Sequence, residues 1–358
     1  MTIVARTLCA AMCFLGLSCA AVCAGEPQYV QAQMQSPQLS AFWGQPVSFD
    51  AHVLLPDSYY RQPAQRYPVI YWIQGFGGTG NIDSGEALIW QKTMRRLHRQ
   101  FIIVYLDGMF NGGHQEFADS ANNGPWGSAL TKEFIPRTEA NFRGLDDAHS
   151  RFVAGHSSGG WSALWLQITY PEMFAAEWSL SPDPVDFSDF TGPDLYRNPL
   201  PNFFVDSTGK DYEVGGLPMK QLVADPDFGR PQFNSFDNVF SPKGADGNAE
   251  PLFNRKTGVI DAAVARYWTT HYDIAAILKA NWPTLGPKLR GKLHIFVGAK
   301  DSFHLDRPVA LLRDELRTLG SDAQIEIVPG LNHRTIYSYK GNAIDYIVTS
   351  ASEMLSAP

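Results

Sequence analysis

Residues 151–168 read RFVAGHSSGGWSALWLQI, and this stretch decides the fold. A short strand-like run, 151–154, enters the glycine-rich turn 155–159, and an apolar helical pattern follows. The turn, GHSSG, matches the G-x-S-x-G pattern of a nucleophile elbow, which requires this strand–turn–helix context. We therefore predict Ser157 as a nucleophile at a helix N-terminus, where developing negative charge is favoured. The alternative is a glycine-rich turn whose serine only caps the helix.

Apolar runs of strand length alternate with helical patterns along most of the chain. The strand-like runs are 46–55, 68–73, 101–106, 151–154, 175–180, 293–297 and 324–328. Helical patterns lie at 86–98, 130–143, 161–170 and 308–319. This alternation predicts an α/β fold with a mostly parallel central sheet flanked by helices. The first run alternates between apolar and polar residues, which indicates an early antiparallel strand.

Two polar residues follow the last two predicted strands. Asp301 comes just after 293–297, and His333 comes just after 324–328. The carboxyl ends of parallel strands meet at one edge of a sheet, so both side chains are expected beside Ser157. A serine hydroxyl needs a base, and the base needs an orienting carboxylate. The order serine, aspartate, histidine is that of the α/β-hydrolase fold, and we predict Asp301 as the acid and His333 as the base.

Each of these residues alone would also suit a structural role. An aspartate after a strand can cap a loop, and a lone histidine can be a satisfied surface group. Asp306 and His304 are the alternative acid and base. His156 is a candidate for substrate binding because it neighbours the serine, although its side chain is expected to point away along the elbow.

The loop after the second predicted strand reads QGFGG at 74–78. The oxyanion hole of this fold uses the N–H of the residue after the nucleophile and a second N–H from this loop. We predict Ser158 and Phe76 as these two donors, with Gly75 or Gly77 as alternatives to Phe76. Gly75 is also predicted to line the substrate site.

The same glycines allow a rival interpretation. Residues 75–80, GFGGTG, match G-x-G-x-x-G after a strand, and Asp107 follows the next strand as a ribose-binding acid could. This would indicate a nicotinamide or flavin oxidoreductase. It leaves Ser157, Asp301 and His333 without a role. The residues at 83–85, DSG, also do not favour a helix that starts at Gly80. No cofactor is therefore expected.

The region 182–290 breaks the alternation of strands and helices. It is dense in Pro, Gly and Asp, and its one helical segment lies at 261–280. A connection of this length inside a compact fold is usually functional. We predict an insertion over the site, within a single domain spanning 25–358.

Residues 1–24 have the layout of a secretory signal peptide. Arg6 supplies the positive charge, an apolar run spans 8–22, and small residues precede Gly25. The expected location is therefore the periplasm or the exterior of the cell, with a single membrane anchor or a lipoprotein at Cys19 or Cys23 as alternatives. All four cysteines lie in this leader, so no disulfide or thiolate site is expected after cleavage.

The composition indicates a globular protein with few charged residues, 18%, and a formal net charge of -7. No block of Lys or Arg stands out, so neither nucleic acid nor an anionic membrane surface is an expected partner. No zinc or calcium motif is found. Asp246, Asn248 and Glu250 lie close in sequence, but their spacing does not fit a standard calcium loop, and no metal is predicted.

Several segments resemble the esterase family of α/β hydrolases that groups esterase D and S-formylglutathione hydrolase with feruloyl and acetyl xylan esterase-like enzymes and antigen 85. The matches are YWIQGFGG (71–78), NNGPWGSALTKEFIP (122–136), AGHSSGGWSALWLQITYPEMF (154–174), GAKDSFHLD (298–306) and the loop at His333. The resemblance implies an α/β-hydrolase fold, the triad Ser157, Asp301 and His333, and an oxyanion donor at Phe76. Gln74 departs from the histidine that many relatives of the wider fold have before the glycines.

By resemblance, the expected function is hydrolysis of a carboxylic ester through an acyl-enzyme, on a small-molecule, carbohydrate-linked or phenolic substrate. Aromatic residues could build a platform for such groups, although such residues are more often core or lid packing; they are Trp126, Trp161, Trp268, Tyr267 and Trp282. Trp126 is the one predicted to bind substrate. An acyltransferase using the same acyl-enzyme and a non-catalytic ligand-binding protein on this scaffold remain alternatives.

Overall fold

The structure is a computed structural model that describes residues 28–78, 80–82 and 84–356. The predicted leader, 1–24, lies outside the described residues, so its cleavage and the export of the protein stay predictions. Within the described ranges, no helix has the length and apolar character needed to cross a membrane.

Eight strands form one sheet, and seven of them correspond to the strand-like runs predicted from the sequence. They are β1 (Gln28–Gln35), β2 (Ser48–Leu55), β3 (Val69–Ile73), β4 (Ile102–Leu106), β5 (Arg151–His156), β6 (Ala176–Leu180), β7 (Leu293–Gly298) and β8 (Gln324–Val328). The order across the sheet is β1-β2-β4-β3-β5-β6-β7-β8. β2 pairs antiparallel with β1 and β4, and the strands from β4 to β8 run parallel to one another. The predicted mostly parallel sheet is confirmed, and β1 is the strand that the sequence patterns missed.

The central strands are buried on both faces, which is why they read as continuous apolar runs. In β3, Tyr71 and Ile73 pack into the core on one face of the sheet, while Ile70 and Trp72 pack into the core on the other. All five residues of β3 are buried. The sheet therefore has a helical layer on each side, and its carboxyl edge is left to the loops.

Eleven α-helices flank or extend the sheet in the described chain. They are α1 (Pro37–Trp43), α2 (Ser84–Arg96), α3 (Trp126–Ala129), α4 (Ile135–Asn141), α5 (Ser158–Thr169), α6 (Met219–Ala224), α7 (Gly229–Phe240), α8 (Ala262–His271), α9 (Ile274–Leu289), α10 (Asp306–Thr318) and α11 (Ala343–Ser356). The helix predicted at 130–143 is composite, because a π-helical turn, Leu130–Phe134, joins α3 to α4. Three two-residue strand pairs lie in loops, at 109–114, 119–125 and 213–218.

The insertion 182–290 contains α6 to α9, and the helix-like segment predicted at 261–280 is divided between α8 and α9. The segment divides after α8, where Asp273 caps α9 by accepting a hydrogen bond from the Ala276 N–H at 3.0 Å. The aromatic side chains of the insertion share one core with the sheet layer, since Phe240 packs on Trp161 of α5 with ring centroids 5.0 Å apart. This shared core positions the insertion beside the carboxyl edge of the sheet.

Candidate active site

Ser157 lies at the sharp turn between β5 and α5, as predicted. Its backbone has φ 59° and ψ −126°, a conformation that costs a non-glycine residue about 1–3 kcal/mol. The flanking glycines allow a very close approach of strand and helix. A Cβ atom on Gly155 would lie 2.1 Å from the Gly159 carbonyl oxygen, and one on Gly159 would lie 2.0 Å from the Ile73 carbonyl oxygen. The turn therefore needs glycine at both positions, and it presents Ser157 at the helix N-terminus.

The structure brings Ser157, Asp301 and His333 together. His333 Nε2 lies 3.1 Å from Ser157 Oγ, and His333 Nδ1 lies 2.9 Å from Asp301 Oδ2. A carboxylate oxygen only accepts, so Nδ1 carries a proton toward Asp301. When the His333 ring is neutral, the lone pair of Nε2 therefore faces the Ser157 hydroxyl. This geometry suits removal of the serine proton.

Asp301 and His333 are held by their loops. Asp301 is 3% exposed, and its second oxygen accepts a hydrogen bond from the Phe303 N–H at 2.9 Å. Gly298, the last residue of β7, lets the two loops touch, because a Cβ atom there would lie 2.4 Å from the Leu331 carbonyl oxygen. The carboxylate is therefore oriented by two donors before any substrate arrives.

His156 supports the loop that carries His333. Its Nε2–H donates to the His333 carbonyl oxygen at 2.8 Å, and the two imidazole rings lie 4.6 Å apart. Burial, and then the charge of His333, lower the pKa of His156 to about 3, so its ring is neutral at physiological pH. His156 also lines the cleft, as its predicted substrate-binding role requires, but the sequence did not indicate this supporting contact.

The alternative acid and base lie elsewhere. His304 Nε2 bonds to the Glu213 carbonyl oxygen at 2.7 Å, and Asp306 begins α10. The prediction that Trp126 binds substrate is wrong. Its side chain is 2% exposed, donates to the Asn123 carbonyl oxygen and packs in the core rather than at the cleft. The aromatic platform is corrected too: Trp161 and Trp268 are fully buried core residues.

The predicted oxyanion loop lies directly over the nucleophile. A Cβ atom on Gly75 would lie 2.8 Å from Ser157 Cβ, so only glycine fits there. Phe76 and Gly75 both line the cleft, and Ser158 is the first residue of α5. The two predicted donors thus lie on the two backbone segments that flank Ser157, and their role stays a prediction.

The dinucleotide interpretation of the glycine loop does not fit the structure. α2 begins only at Ser84, so no helix starts at the last glycine of the motif. Gly80 packs on the backbone of Asp107, where an added Cβ atom would meet Asp107 N at 2.6 Å. The acid and the loop touch each other, which leaves no space between them for a ribose.

A cleft of about 750 Å³ opens at Ser157. Its lining includes three phenylalanines from three different segments: Phe76 in the predicted oxyanion loop, Phe228 before α7 and Phe303 after Asp301. Their rings form a chain, with centroids 5.9 Å apart for Phe76 and Phe228, and 6.2 Å apart for Phe228 and Phe303. Phe303 then meets the His333 ring edge to face at 4.7 Å. One wall of the cleft is therefore aromatic.

The rest of the cleft has both apolar and polar side chains, and Ile89 and Ile344 are among the apolar ones. Tyr337, Arg334, Asn342 and Glu86 line it. Sequence reasoning missed all of these residues and two of the three phenylalanines. Phe303 had a usable signal, because it lies two residues after a predicted catalytic acid, whereas nothing local marks Phe228. In the described chain, no group of three or more His, Cys, Asp or Glu residues is placed to hold a metal ion.

The fold and the site together define the class as an α/β hydrolase. Among solved structures, a ferulic acid esterase matches with a TM-score of 0.60 and 17% identity, over 92% of this chain and 99% of that chain. An S-formylglutathione hydrolase from Agrobacterium tumefaciens matches with a TM-score of 0.54 and 16% identity, over 93% and 98%. At such identities the likeness shows the fold.

A family model described as "Putative esterase" matches residues 46–215 of this chain. Esterase MT1326 of Mycobacterium tuberculosis (strain CDC 1551 / Oshkosh) is 34% identical over 129 residues, which are 35% of this chain and 27% of that protein. The chain thus spans about a quarter of the length of the curated relative it matches. The family match includes Ser157 and ends before Asp301 and His333.

Proposed function

We propose that this protein is a serine esterase that hydrolyses a carboxylic ester through an acyl-enzyme. One observation carries the proposal: the chain of contacts from Asp301 through His333 to Ser157, at 2.9 and 3.1 Å, on a strained nucleophile elbow. The match of residues 46–215 to the esterase family model supports the reaction type. The predicted leader supports action in the periplasm or outside the cell.

The proposed reaction begins when His333 Nε2 takes the proton of Ser157 Oγ, which attacks the ester carbonyl. Asp301 holds the histidine in the tautomer that can accept this proton and stabilises the imidazolium that forms. His333 then protonates the leaving alcohol, and the acyl-enzyme remains on Ser157. Water, activated by the same histidine, completes hydrolysis.

The negative oxygen of the tetrahedral intermediate would lie between the N–H groups of Phe76 and Ser158. The N-terminus of α5 adds the favourable end of a helix dipole at the same point. One such donor is worth about 10²- to 10³-fold in turnover in related chemistry.

The aromatic wall of the cleft supports a substrate with a phenolic or other aryl group. Phe76, Phe228 and Phe303 offer edges and faces to a planar ring within reach of Ser157. Polar residues that also line the cleft, among them Arg334 and Asn342, suit hydroxyl groups, so a carbohydrate-linked phenolic ester fits this lining. The ferulic acid esterase with the same fold is consistent with this substrate class.

The test compares the mature protein with Ser157→Ala on a series of p-nitrophenyl and aryl-acyl esters, together with labelling by a fluorophosphonate probe. We expect wild type to turn over and to be labelled on Ser157, and the alanine variant to do neither. A folded wild-type protein that shows no turnover and no label would contradict the proposal and favour a ligand-binding protein. Product analysis with an added alcohol acceptor separates hydrolysis from acyl transfer.

A further inference from the structure

A network of buried polar side chains lies behind the predicted oxyanion hole. His114, Glu116 and Ser162 are 1%, 0% and 0% exposed, and none of them has a part in the mechanism above. They come from the loop after β4 and from α5. Buried polar groups of this kind cost free energy unless they are paired, so their partners indicate their role.

The first partner is the backbone of the oxyanion loop. His114 Nε2 lies 3.1 Å from the Gln74 carbonyl oxygen. A carbonyl only accepts, so Nε2 carries a proton and donates it there. This hydrogen bond fixes the orientation of the Gln74–Gly75 peptide, one peptide before the Phe76 N–H. Gly108 packs flat on the imidazole, since a Cβ atom there would lie 2.2 Å from His114 Nε2.

Glu116 holds the other side of the imidazole. The Glu116 backbone N–H donates to His114 Nδ1 at 3.1 Å. Glu116 Oε1 lies 3.3 Å from the same nitrogen without a hydrogen bond. Burial lowers the pKa of His114 and Glu116 raises it, and the net direction is upward. In either protonation state of this pair, Nε2–H faces Gln74.

The Glu116 carboxylate is also connected, through Ser162, to Ser158, the second predicted oxyanion donor. Ser162 Oγ lies 3.1 Å from Glu116 Oε2 and 2.7 Å from the Ser158 carbonyl oxygen. The Ser158 hydroxyl in turn donates to the buried Asp183 at 2.5 Å. Glu116 is therefore connected to both backbone segments that carry the predicted donors.

The backbone at this point is strained. Glu116 and the following Phe117 both have positive φ, 54° and 46°, and both are fully buried. Two successive non-glycine residues in this region cost about 1–3 kcal/mol each, and such strain persists where the surrounding structure over-determines it. In this conformation the Glu116 carboxylate lies against Ser162 of α5.

We propose that His114 and Glu116 are positioning residues that set the distance between the oxyanion donors Phe76 and Ser158. The inference rests on the proposed function, because it assigns these residues to the transition state of that reaction. They touch no substrate, and they act through the Gln74 carbonyl and through Ser162.

The experiment compares His114→Gln with His114→Met. The two side chains have the same length, but only glutamine can donate to Gln74. Turnover is measured per active site titrated with a fluorophosphonate, which removes any unfolded fraction from the comparison. We expect kcat of the methionine variant to fall about 30- to 100-fold, with KM changed less than threefold, because one donor is misplaced only in the transition state. We expect the glutamine variant to keep at least tenfold more activity than the methionine variant.

Ser162→Ala is the second variant, and it removes the other arm of the network with a minimal change of volume. We expect its kcat to fall about three- to tenfold at constant KM, with a matching loss of affinity for a boronic acid that forms a tetrahedral adduct. Folded methionine and alanine variants with wild-type kcat would overturn the inference, and so would equal losses in the glutamine and methionine variants. Should the methionine variant not fold, the alanine variant decides alone. A wild-type enzyme without turnover or label would instead contradict the proposed function.

Discussion

At the scale of single residues, protonation states follow from what each neighbour can donate or accept. Glu177 on β6 is fully buried, and its Oε2 lies 2.7 Å from Ser179 Oγ. The Ser179 hydroxyl proton goes to the Gly160 carbonyl oxygen at 2.6 Å, because that oxygen can only accept. Glu177 must then hold a proton toward Ser179, and burial raises its pKa to about 8.

The first prediction concerns the acid of the triad. We expect Asp301→Asn to lower kcat about 10³- to 10⁴-fold, because an amide no longer holds His333 in the tautomer that accepts the serine proton. The measurement is kcat with an aryl ester, with thermal melting to show that the variant is folded. Asp306→Asn is the matched control, and we expect its kcat to stay within threefold of wild type. The reverse pattern would assign the acid to Asp306.

The second prediction concerns pH and Glu177. The folded pKa is raised from about 4.5 to about 8, so the folded protein keeps a proton that the unfolded chain loses. This contribution to stability is full at pH below the unfolded value and is lost as pH rises toward 8. We therefore expect the melting temperature of Glu177→Gln to rise relative to wild type between pH 5 and pH 8. A difference that is constant across this range would show that Glu177 is ionised in the folded state.

At the scale of elements, two aspartates that cap helices of the insertion differ in burial and in the number of segments that they bond to. Asp261 caps α8 from an exposed position, accepting from two N–H groups of the first turn. Asp273 caps α9 but is 1% exposed, and it also accepts from the Phe187 N–H at 2.8 Å and the Tyr196 hydroxyl at 2.9 Å. One buried carboxylate thus joins α9 to the start of the insertion.

The third prediction follows from this difference. We expect Asp273→Ala to lower the free energy of unfolding by about 2–4 kcal/mol, because the change leaves buried donors without an acceptor. Asp261→Ala, which removes an exposed cap, should cost about 1 kcal/mol. Urea unfolding of both variants measures the two values. Equal losses would show that the contacts of Asp273 beyond α9 contribute nothing.

At the scale of the whole molecule, the cleft is assembled from distant parts of the chain. The predicted oxyanion loop follows β3, the proposed triad residues follow β5, β7 and β8, and Phe228 comes from the insertion. Phe228 is 38% exposed at the rim, between Phe76 and Phe303. The insertion therefore contributes to the proposed aryl site without contributing to the triad.

The fourth prediction concerns Phe228 and distinguishes binding of the aryl group from hydrolysis of the ester bond. We expect Phe228→Ala to raise KM about 5- to 30-fold for an aryl-acyl ester, which corresponds to about 1–2 kcal/mol of lost ring contact, and to leave acetyl ester hydrolysis unchanged. Leu311→Ala, at an apolar side chain of similar exposure on α10, is the control and should change neither substrate. Steady-state kinetics on both esters make the comparison. Equal effects on the two esters would place the aryl group elsewhere.

The sequence by itself determined seven of the eight strands of the sheet, the elbow and the candidates for the triad. These features depend on local patterns: apolar runs of strand length, glycines at a tight turn, and polar residues just after strands whose ends must meet in a parallel sheet. Ser157, Asp301 and His333 could be chosen for that reason before any distance was known.

Only the tertiary structure decided which aromatic residues face the cleft and which are core. Trp126 and Phe228 carry no local mark of their opposite positions, because burial depends on packing between segments far apart in the chain. The break between α8 and α9 had a local signal, since Asp273 caps α9 through the Ala276 N–H, and only its bonds to the Phe187 N–H and the Tyr196 hydroxyl depend on a distant segment. The network of His114 and Glu116 likewise exists only when the loop after β4 lies behind the elbow.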